Sequence, residues 1–373
     1  MNEDFTGGRA VVETLLKNQI NTVFCVPGES YLGILESMRH YQDKIRLIIN
    51  RHESGASFGA TAYARITNKP GIALVSRGPG ATNAAIGIHT AYQDSTPLVL
   101  LIGQVPTTQI GTEAFQEIDY KKMFEPLAKY VLQVLSPDHI AEALVHALEL
   151  SVDGRPGPVV LVLPEDTTTG KVENTEIPTT KAREIRVPSD TLVEQAAEII
   201  NRASHPLVIA GEMINFERAH SELQDFINAS GAGVCAAFRR QGIISTENQA
   251  CLGHLGLSMA PYQIDMWADC DVIIAMGTRL DAATTMDFNL IRPEQTLIHI
   301  YPDNIVLKRN KAAIAINGDC KITLNRISNA LVKSIPNDRL NWREKYRDRY
   351  KLWMKGDNAT SIGSVDMHHI IKM

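Results

Sequence analysis

The sequence predicts an α/β protein with two doubly wound parallel-sheet domains. The chain has 373 residues, more than one hydrophobic core usually serves, so two domains are expected. Short β-rich runs alternate with helical patterns over residues 6–167 and again over residues 190–335. Residues 168–189 between them have few large apolar side chains and no clear period, which is typical of an interdomain linker.

The first domain, residues 1–167, is expected to alternate strands with crossover helices. Its predicted strands are 22–26, 46–49, 71–76, 98–102 and 159–163. Its predicted helices are 8–18, 32–41, 55–66, 81–93 and 139–151. Strands that alternate with helices imply a parallel sheet, and ligand-binding loops of such sheets gather at the carboxyl ends of the strands.

The second domain, residues 190–335, repeats this pattern. We predict a helix at 191–203 and strands at 206–210, 270–276, 296–301 and 312–317. The remaining tail, residues 336–373, is charged and aromatic and is expected to begin with a helix. Its last ten residues are typical of the first turn of another helix, so we expect the tail to lead toward a further domain.

Composition excludes several functional classes. The net charge of −5 and pI near 6.1 give no electrostatic footprint for nucleic acid. Five widely spaced cysteines without a C-x-x-C pair indicate reduced, buried thiols in a cytoplasmic protein. The amino terminus has no apolar signal core, and no apolar run is long enough to span a membrane. The histidines form no metal-binding pattern, so no metal ligands are predicted.

A carboxylate stands where a predicted strand meets a predicted helix. The apolar run 47–49 leads into Asn50, Arg51, His52 and Glu53. A carboxylate at such a junction is solvated, paired or used in chemistry. An ion pair of Glu53 with Arg51 or His52 is the structural alternative to a catalytic role.

The helix after Glu53 has a face of small residues. Ala56, Ala60 and Ala64 recur every four residues and therefore share one face. Such a face can pack very closely on another helix, which makes a helix–helix dimer contact beside Glu53 an expectation.

Three further segments follow predicted strands. Pro27 and Gly28 come after the first strand, where a simple turn is the alternative to a site. Residues 76–83, Ser-Arg-Gly-Pro-Gly-Ala-Thr-Asn, open a helix like a phosphate loop, but Asn83 replaces the last glycine of a dinucleotide motif. Phe115 and Gln116 follow the fourth strand on a polar segment, as pocket residues or as a surface loop with one anchoring aromatic.

The second domain offers weaker signals. Gly277, Thr278 and Arg279 follow a predicted strand and would suit a nucleotide or a domain contact. Asp303 follows the strand at 296–301 and could accept a hydrogen bond from a ribose.

In combination these segments resemble the thiamine-diphosphate-dependent enzymes of the acetolactate synthase and pyruvate oxidase group. The motifs are Val-Pro-Gly at 26–28, Arg-His-Glu at 51–53, the segment 76–83 and Phe-Gln-Glu at 115–117. Phe-Arg-Arg-Gln at 238–241, Gly-His-Leu-Gly at 253–256 and Gly-Thr-Arg-Leu at 277–280 resemble the central domain of that group. The resemblance covers about residues 6–333.

The resemblance implies an acetolactate synthase-like transferase, a decarboxylase and carboligase that acts on a small 2-oxo acid. Glu53 would be the catalytic glutamate that hydrogen-bonds the aminopyrimidine of thiamine diphosphate and promotes formation of its ylid. Phe115 and Gln116 would be catalytic residues near the substrate. The cofactor-binding residues would be Glu53 and the pocket residues Pro27, Gly28, Ser76, Gly80 and Asn83.

The resemblance also implies a homodimer or homotetramer, magnesium bound to the diphosphate and, in some relatives, FAD. The magnesium ligands of the family lie in a third domain with a Gly-Asp-Gly motif, whereas Gly318 and Asp319 are followed here by Cys320. We therefore expect this chain to be the amino-terminal part of a longer enzyme, with the diphosphate-binding domain absent and little activity alone. The alternatives are a non-catalytic two-domain binding module and one subunit of a split enzyme.

Overall fold

A computed structural model describes residues 5–355 of the chain. It separates into two compact units, Met1–Glu184 and Ile185–Met373, and the division falls inside the predicted linker. Each unit contains a six-stranded parallel sheet with helices, so the predicted fold class is confirmed. No helix within the described part of the chain is long and apolar enough to cross a membrane.

The sheet of the first unit has the strand order β2-β1-β3-β4-β6-β5, and every neighbouring pair is parallel. Its strands are β1 (Thr22–Cys25), β2 (Arg46–Ile49), β3 (Gly71–Ser76), β4 (Leu98–Gln104), β5 (Tyr130–Gln133) and β6 (Pro158–Pro164). Its helices are α1 (Gly7–Lys17), α2 (Leu32–His40), α3 (Glu53–Thr67), α4 (Arg77–Gln93), α5 (Tyr120–Phe124), α6 (Ile140–Val152) and α7 (Glu165–Thr169).

Two hydrophobic cores cover the two faces of this sheet. Ile72 and Leu74 of β3 pack in the core that contains the apolar sides of α1, α2 and α6. Ala73 and Val75 of the same strand point to the opposite face and join the core of α3, α4 and α5. The strand is buried on both sides, which explains why it has a continuous apolar run instead of alternation.

The sequence prediction for this unit missed strand β5 and the short helices α5 and α7, and it placed the starts of α3 and α4 too late. Strand β5 was not predicted because it lies at the sheet edge and is only partly buried, so its apolar signal is weak. Helix α3 begins at Glu53, two residues earlier than predicted. Helix α4 begins at Arg77, so residues 78–80 form its first turn instead of a phosphate loop. Proline is tolerated there because a first-turn N–H has no intrahelical acceptor.

The alanine face of α3 is used inside the unit. Ala56, Ala60 and Ala64 are buried, and α3 packs on α4. A methyl carbon built on Gly87 of α4 would lie 2.2 Å from Ser57 Oγ of α3, so the two helices are in very close contact. Helix α3 thus packs closely on α4 at Ser57, and its three alanines are covered within the unit and are not available for the dimer contact expected of them.

The sheet of the second unit has the strand order β12-β11-β10-β7-β8-β9 and is also entirely parallel. Its strands are β7 (Pro206–Ala210), β8 (Gly233–Ala236), β9 (Cys251–His254), β10 (Val272–Met276), β11 (Thr296–Tyr301) and β12 (Ile314–Asn317). Its helices are α8 (Asp190–Arg202), α9 (Glu212–Phe216), α10 (His220–Ser230), α11 (Pro261–Asp269), α12 (Asn304–Leu307), α13 (Cys320–Ala330) and α14 (Asn337–Lys355).

The first half of the predicted tail packs on this second unit. Trp342, Tyr346 and Tyr350 of α14 are buried in its core. The guanidinium of Arg339 is buried and donates to the Ile200 and Ser230 carbonyls, near the ends of α8 and α10. The predicted helix over the last ten residues lies outside the described part of the chain.

Candidate active site

The segments that follow β1, β2 and β3 meet at one edge of the first sheet. These strands are neighbours in the order β2-β1-β3 and run in the same direction, so their carboxyl ends lie side by side. Gly28 follows β1, Glu53 follows β2 and Ser76 ends β3. Parallel pairing therefore brings together three segments that are distant in sequence.

Glu53 is half-buried and is the first residue of α3. The unpaired N–H groups of a helix amino terminus favour a negative charge at this position. Its Oε2 accepts a hydrogen bond of 2.9 Å from Nδ2 of Asn83 on α4. The imidazole of His52 caps α3 by accepting from the Ser54 N–H at 3.2 Å, so it is oriented by the helix end.

The second carboxylate oxygen of Glu53 faces the backbone of Gly80. A methyl carbon built on Gly80 would lie 3.4 Å from Glu53 Oε1. Over residues 5–355, Oε1 accepts no hydrogen bond and Glu53 makes no ion pair, so the alternative of a pair with Arg51 or His52 is not formed. One oxygen is held by an amide, and the other keeps its capacity to accept a hydrogen bond from a ligand.

Gly28 allows the segments after β1 and β3 to approach closely. A methyl carbon built on Gly28 would lie 2.3 Å from Ser76 Cβ, well below any tolerable contact. The hydroxyl groups of Ser76 and Ser30 are 2.8 Å apart and share a hydrogen bond. Gly28 is extended, with φ of −149°, so the requirement for glycine here comes from space and not from backbone conformation.

The side chain of Tyr31 fixes the turn after β1. This side chain is fully buried, and its hydroxyl donates to the Val26 carbonyl. Burial raises the pKa of Tyr31 well above its ordinary value, and the charges of Cys25 and Glu53 contribute in the same direction. Tyr31 therefore remains a neutral donor and holds the Val26–Gly28 backbone in place.

Pro27 is exposed and borders a different surface. It lines a cavity of about 550 Å³ together with apolar side chains of α2 and β2, among them Leu35, Met38 and Ile49. Apart from Pro27, the predicted pocket residues form two groups. Glu53, Gly80 and Asn83 are in mutual contact, and Gly28 contacts Ser76.

Phe115 and Gln116 lie on the irregular segment between β4 and α5, as predicted. The Phe115 side chain is 73% exposed. The Gln116 carbonyl accepts a hydrogen bond of 2.9 Å from the Gly78 N–H, which ties this segment to the first turn of α4. The carboxylate of Glu117 accepts from the N–H groups of Gly111 and Ala114 at 2.6 and 3.2 Å, so the segment is held by its own side chain.

Arg77 is a residue of this edge that the sequence analysis did not single out. It has φ of 47° at the junction of β3 and α4, a conformation that non-glycine residues rarely adopt. Its guanidinium pairs with Glu29 at 2.9 Å and with Glu165 at 3.3 Å. Arg77 and Glu165 directly follow β3 and β6, and Glu29 lies four residues after β1, so their places after strand ends are the signal that could have grouped them.

The carboxyl edge of the second sheet carries a buried charge cluster. Glu212 follows β7 and accepts a hydrogen bond of 2.9 Å from the Tyr301 hydroxyl. Its carboxylate is also 3.4 Å from Arg279 Nε and 3.9 Å from Arg240 Nε. Arg279 and Arg240 belong to two of the three motifs that suggested the central domain. In this structure both guanidinium groups lie beside the Glu212 carboxylate within the second unit.

The other polar residues singled out in the second unit have structural roles. Asp303 caps α12 by accepting from the Ile305 N–H at 2.7 Å. Asp319 is buried and accepts from the Arg186 N–H at 2.9 Å. His299 is buried on β11 and is 2.9 Å from the Thr278 carbonyl. No cluster of three metal-ligating side chains is present among the residues the structure describes.

The two units define a class of protein: a pair of parallel α/β domains of which the first presents a hydrogen-bonded carboxylate at its carboxyl edge. Comparison with known families gives this class a name. The model of the thiamine pyrophosphate enzyme N-terminal TPP binding domain matches residues 5–123. The model of the thiamine pyrophosphate enzyme central domain matches residues 193–327. The chain belongs to the thiamine pyrophosphate enzymes and carries their N-terminal and central domains.

Curated relatives agree with this assignment. The chain is 32% identical over 358 residues to the probable acetolactate synthase large subunit of Methanocaldococcus jannaschii, a match of 93% of this chain and 59% of that protein. It is 31% identical to the acetolactate synthase large subunit of Corynebacterium glutamicum, a match of 87% of this chain and 52% of that protein. It is 30% identical to that of Cyanidium caldarium, with 94% and 62% covered. The chain thus spans between half and two thirds of the length of these relatives.

Proposed function

We propose that this chain provides the pyrimidine-binding and central domains of a thiamine-diphosphate-dependent decarboxylase and carboligase that acts on a 2-oxo acid, as an acetolactate synthase does. The similarity to acetolactate synthase large subunits supports the reaction class. One structural observation carries the proposal: Glu53 has one oxygen held by Asn83 and the other directed toward the Gly80 backbone.

The residues present fit the aminopyrimidine part of the cofactor. Glu53 would accept a hydrogen bond from the pyrimidine ring through Oε1, and the Asn83 amide would keep the carboxylate in that orientation. Thiamine diphosphate, when bound, supplies the carbanion chemistry. The task of Glu53 is to hold and release one proton at its carboxylate, a role for which side-chain position matters first.

The glycines of this edge would admit the flat ring. A side chain at Gly80 would touch the carboxylate, and one at Gly28 would collide with Ser76. Ser76 would offer its hydroxyl beside the ring. Pro27 would contribute only its backbone turn, because its ring borders the cavity of α2 and β2.

Phe115 and Gln116 would contact the substrate. The Gly78 N–H connects their segment to helix α4, which also contains Asn83. The Glu117 hydrogen bonds preorganise the segment, so little ordering would be needed on binding. The exposed Phe115 ring would provide apolar surface, and the Gln116 amide would provide one donor and one acceptor.

Magnesium and FAD fit less well to the described residues. Asp319 is engaged with Arg186, and residues 5–355 contain no cluster of three ligands. Asp303 caps a helix, and Arg279 is paired with Glu212 and Asp281. We derive no step through either group.

We also propose that the chain assembles as a homodimer or homotetramer. The outward faces of α3 and α4 expose the apolar side chains of Phe58, Ile66 and Ile86. Large apolar residues on neighbouring helices are typical of surfaces that are covered in an assembly. Light scattering on the purified chain tests this, with a Phe58→Asp, Ile86→Asp variant expected to shift the mass toward a single copy.

The test of function uses the protein as isolated from its source, with any chain that copurifies. It is supplied with Mg²⁺, thiamine diphosphate and pyruvate, and acetolactate formation is measured. Glu53→Gln is expected to lower kcat at least ~100-fold, because removal of a positioned acid–base group typically costs this much. Thermal unfolding of the variant should match that of the parent protein.

Glu125→Gln is the matched control. Glu125 is an exposed carboxylate of the same unit, paired on the surface with Lys121, and its loss should leave turnover unchanged. Equal turnover of the parent protein and Glu53→Gln would overturn the mechanism. Failure of the parent protein to turn over any 2-oxo acid would instead favour a non-catalytic module.

A further inference from the structure

A cavity of about 600 Å³ opens on the second unit. It is formed by the segment from Leu280 to Leu297 and by residues 309–311 before β12. Its volume is in the range of small-molecule sites. None of Glu212, Arg240 and Arg279 lines it, so it is separate from the buried charge cluster.

Three cations line this cavity, and no carboxylate does. Arg292, Arg309 and Lys311 are exposed at its wall, and none of them makes an ion pair within residues 5–355. Asp287 and Glu294 are neighbours of lining residues in sequence, but neither lines the cavity. In a chain with a net charge of −5, a cavity with three uncompensated positive charges attracts anions.

Two of the neutral polar side chains of the cavity are hydrogen-bonded within the protein, and a third has a buried donor without a partner. The Gln295 amide donates to the Trp267 and Cys270 carbonyls at 2.8 and 2.9 Å, and its oxygen accepts from the Arg292 N–H at 3.0 Å. The Thr285 hydroxyl donates to the Asp281 carbonyl at 2.8 Å. By contrast, Nδ2 of Asn310 is buried and has no acceptor in the described part of the chain. Asn310 lines this cavity and a neighbouring one, and an acceptor oxygen of a ligand would satisfy its buried N–H.

The remaining wall is apolar and includes an exposed aromatic ring. Leu280 and Leu297 form its buried side, and Phe288 is 70% exposed at the rim. Met286, Asp287 and Phe288 have φ of 49°, 55° and 66°, three consecutive non-glycine residues in the left-handed region. Such backbone is costly, and the Phe288 N–H is held by the Thr285 hydroxyl at 3.2 Å. This strained backbone therefore holds the Phe288 ring at the cavity.

We propose that this cavity binds a phosphorylated organic anion that carries a flat ring. The phosphate oxygens contact Arg292, Arg309, Lys311 and the Asn310 amide, and the ring lies against Phe288. Arginine and lysine donors match phosphate oxygens, and aromatic side chains stack on flat rings. The proposal does not depend on thiamine diphosphate chemistry, since it rests on a different sheet.

Calorimetric titration of the purified chain tests the proposal, with ATP and tripolyphosphate as probes at low ionic strength. Saturable binding of ATP at one site is expected, tighter than that of tripolyphosphate. The Arg309→Gln, Lys311→Gln variant should weaken both probes at least about tenfold, because charge-assisted hydrogen bonds are lost. Phe288→Ala should weaken ATP and leave tripolyphosphate unchanged.

Lys308→Gln is the matched control. Lys308 is an exposed lysine one residue before Arg309, but it lines a neighbouring cavity, which shares Asn310 with the proposed site and contains none of its three cations. Its loss should change the affinity for either probe less than twofold. Equal weakening by Lys308→Gln would reduce the effect to general surface charge and overturn the site. Absence of saturable binding of both probes would overturn it as well, and insensitivity of ATP to Phe288→Ala would overturn the ring contact.

Discussion

Glu53 and Glu212 each begin a helix at the carboxyl edge of a parallel sheet, but their surroundings differ. Each follows a parallel strand at the carboxyl edge, and each is the first residue of a helix. Glu53 is half-buried and held by one amide. Glu212 is only 8% exposed and is surrounded by Tyr301, Arg279 and Arg240. Both carboxylates begin a helix, but β2 is the edge strand of its sheet and β7 is an interior strand, so the two have different neighbours.

The difference shows how a charge becomes structural or available. A buried carboxylate must be compensated, and Glu212 has two guanidinium groups and a hydroxyl around it. Glu53 is open to solvent on one side, so one neutral donor suffices and an oxygen stays accessible. We therefore expect substitutions of Glu53 to affect ligand chemistry and those of Glu212 to affect folding.

Both edges also use glycine at the point where strand order reverses. Gly28 lies between β1 and β3, and Gly211 lies between β7 and β10. A methyl carbon on Gly211 would lie 2.3 Å from Thr278 Cα, as close as the one on Gly28 to Ser76. Ligands of such sheets bind at this reversal point. In the second unit the cluster around Glu212 occupies this region.

Glu212→Gln should produce the largest loss of stability. Removing the charge takes the Glu212 carboxylate away from two buried guanidinium groups, of which Arg279 keeps its pair with Asp281, and loss of one partner of a buried pair typically costs about 3–5 kcal/mol of unfolding free energy. Urea unfolding followed by tryptophan fluorescence measures it, because Trp267, Trp342 and Trp353 all belong to the second unit. Glu198→Gln, which breaks an exposed pair with Arg202, should cost less than about 1 kcal/mol. Equal effects of the two variants would contradict the contrast drawn here.

Gly28→Ala should destabilise the first unit by about 1–3 kcal/mol, the usual cost of overpacking. The added carbon would collide with Ser76 Cβ, so Gly28→Ala combined with Ser76→Gly should recover part of the loss. The probe is alkylation of Cys25, the one cysteine of the first unit, which is fully buried. Burial raises its pKa to about 11, so it reacts only after local opening. A double variant as unstable as the single one would show that the contact is not the cause.

His299 should make the second unit sensitive to mild acid. Burial lowers the pKa of this imidazole, while the Thr278 carbonyl acts in the opposite direction. Above the unfolded pKa of about 6.5, histidine is neutral in both states, so its contribution is constant there. As pH falls below that value, the unfolded state takes up the proton first and stability declines. The decline is at most about 1.4 kcal/mol per pH unit, since one proton is involved.

The measurement compares urea midpoints at pH 7.5 and 5.5 by tryptophan fluorescence. His299→Gln removes the titrating group and keeps a donor for the Thr278 carbonyl. The variant should therefore lose less stability between these two pH values than the parent protein. If both lose the same amount, other groups govern the acid sensitivity.

The smallest effect should come from Gly55→Ala on α3. A methyl carbon there would meet only Asn50, at 3.5 Å, and the position is exposed in a helix. Replacing glycine by alanine in a helix typically stabilises by about 0.4–1 kcal/mol. Slower alkylation of Cys25 would report the gain. A loss instead would show that the turn at Glu53 needs the flexibility of glycine.

Patterning was sufficient for the strands with long apolar runs and failed for β5, β8 and β9. The runs at 71–76 and 206–210 are continuous and apolar, and both became central strands as predicted. Strands β5, β8 and β9 lack that signal, because four residues with mixed exposure or small side chains do not produce a clear period. The predicted helices begin at residues 55 and 81, which leaves Glu53 and Pro79 outside them, so the early starts of α3 and α4 are missed.

The sequence alone determined that this chain folds as two parallel α/β units. Its motifs, through the family they resemble, also placed Glu53, Gly80 and Asn83 in one predicted cofactor pocket. Apolar periodicity and motif order are properties of the chain itself, so they can be recognised without coordinates. Only tertiary structure decided that Asn83 and not Arg51 or His52 holds Glu53, that Ala56 packs inward, and that Arg279 pairs with Glu212. Contacts between residues far apart in sequence depend on strand order and helix approach, and local pattern does not encode them.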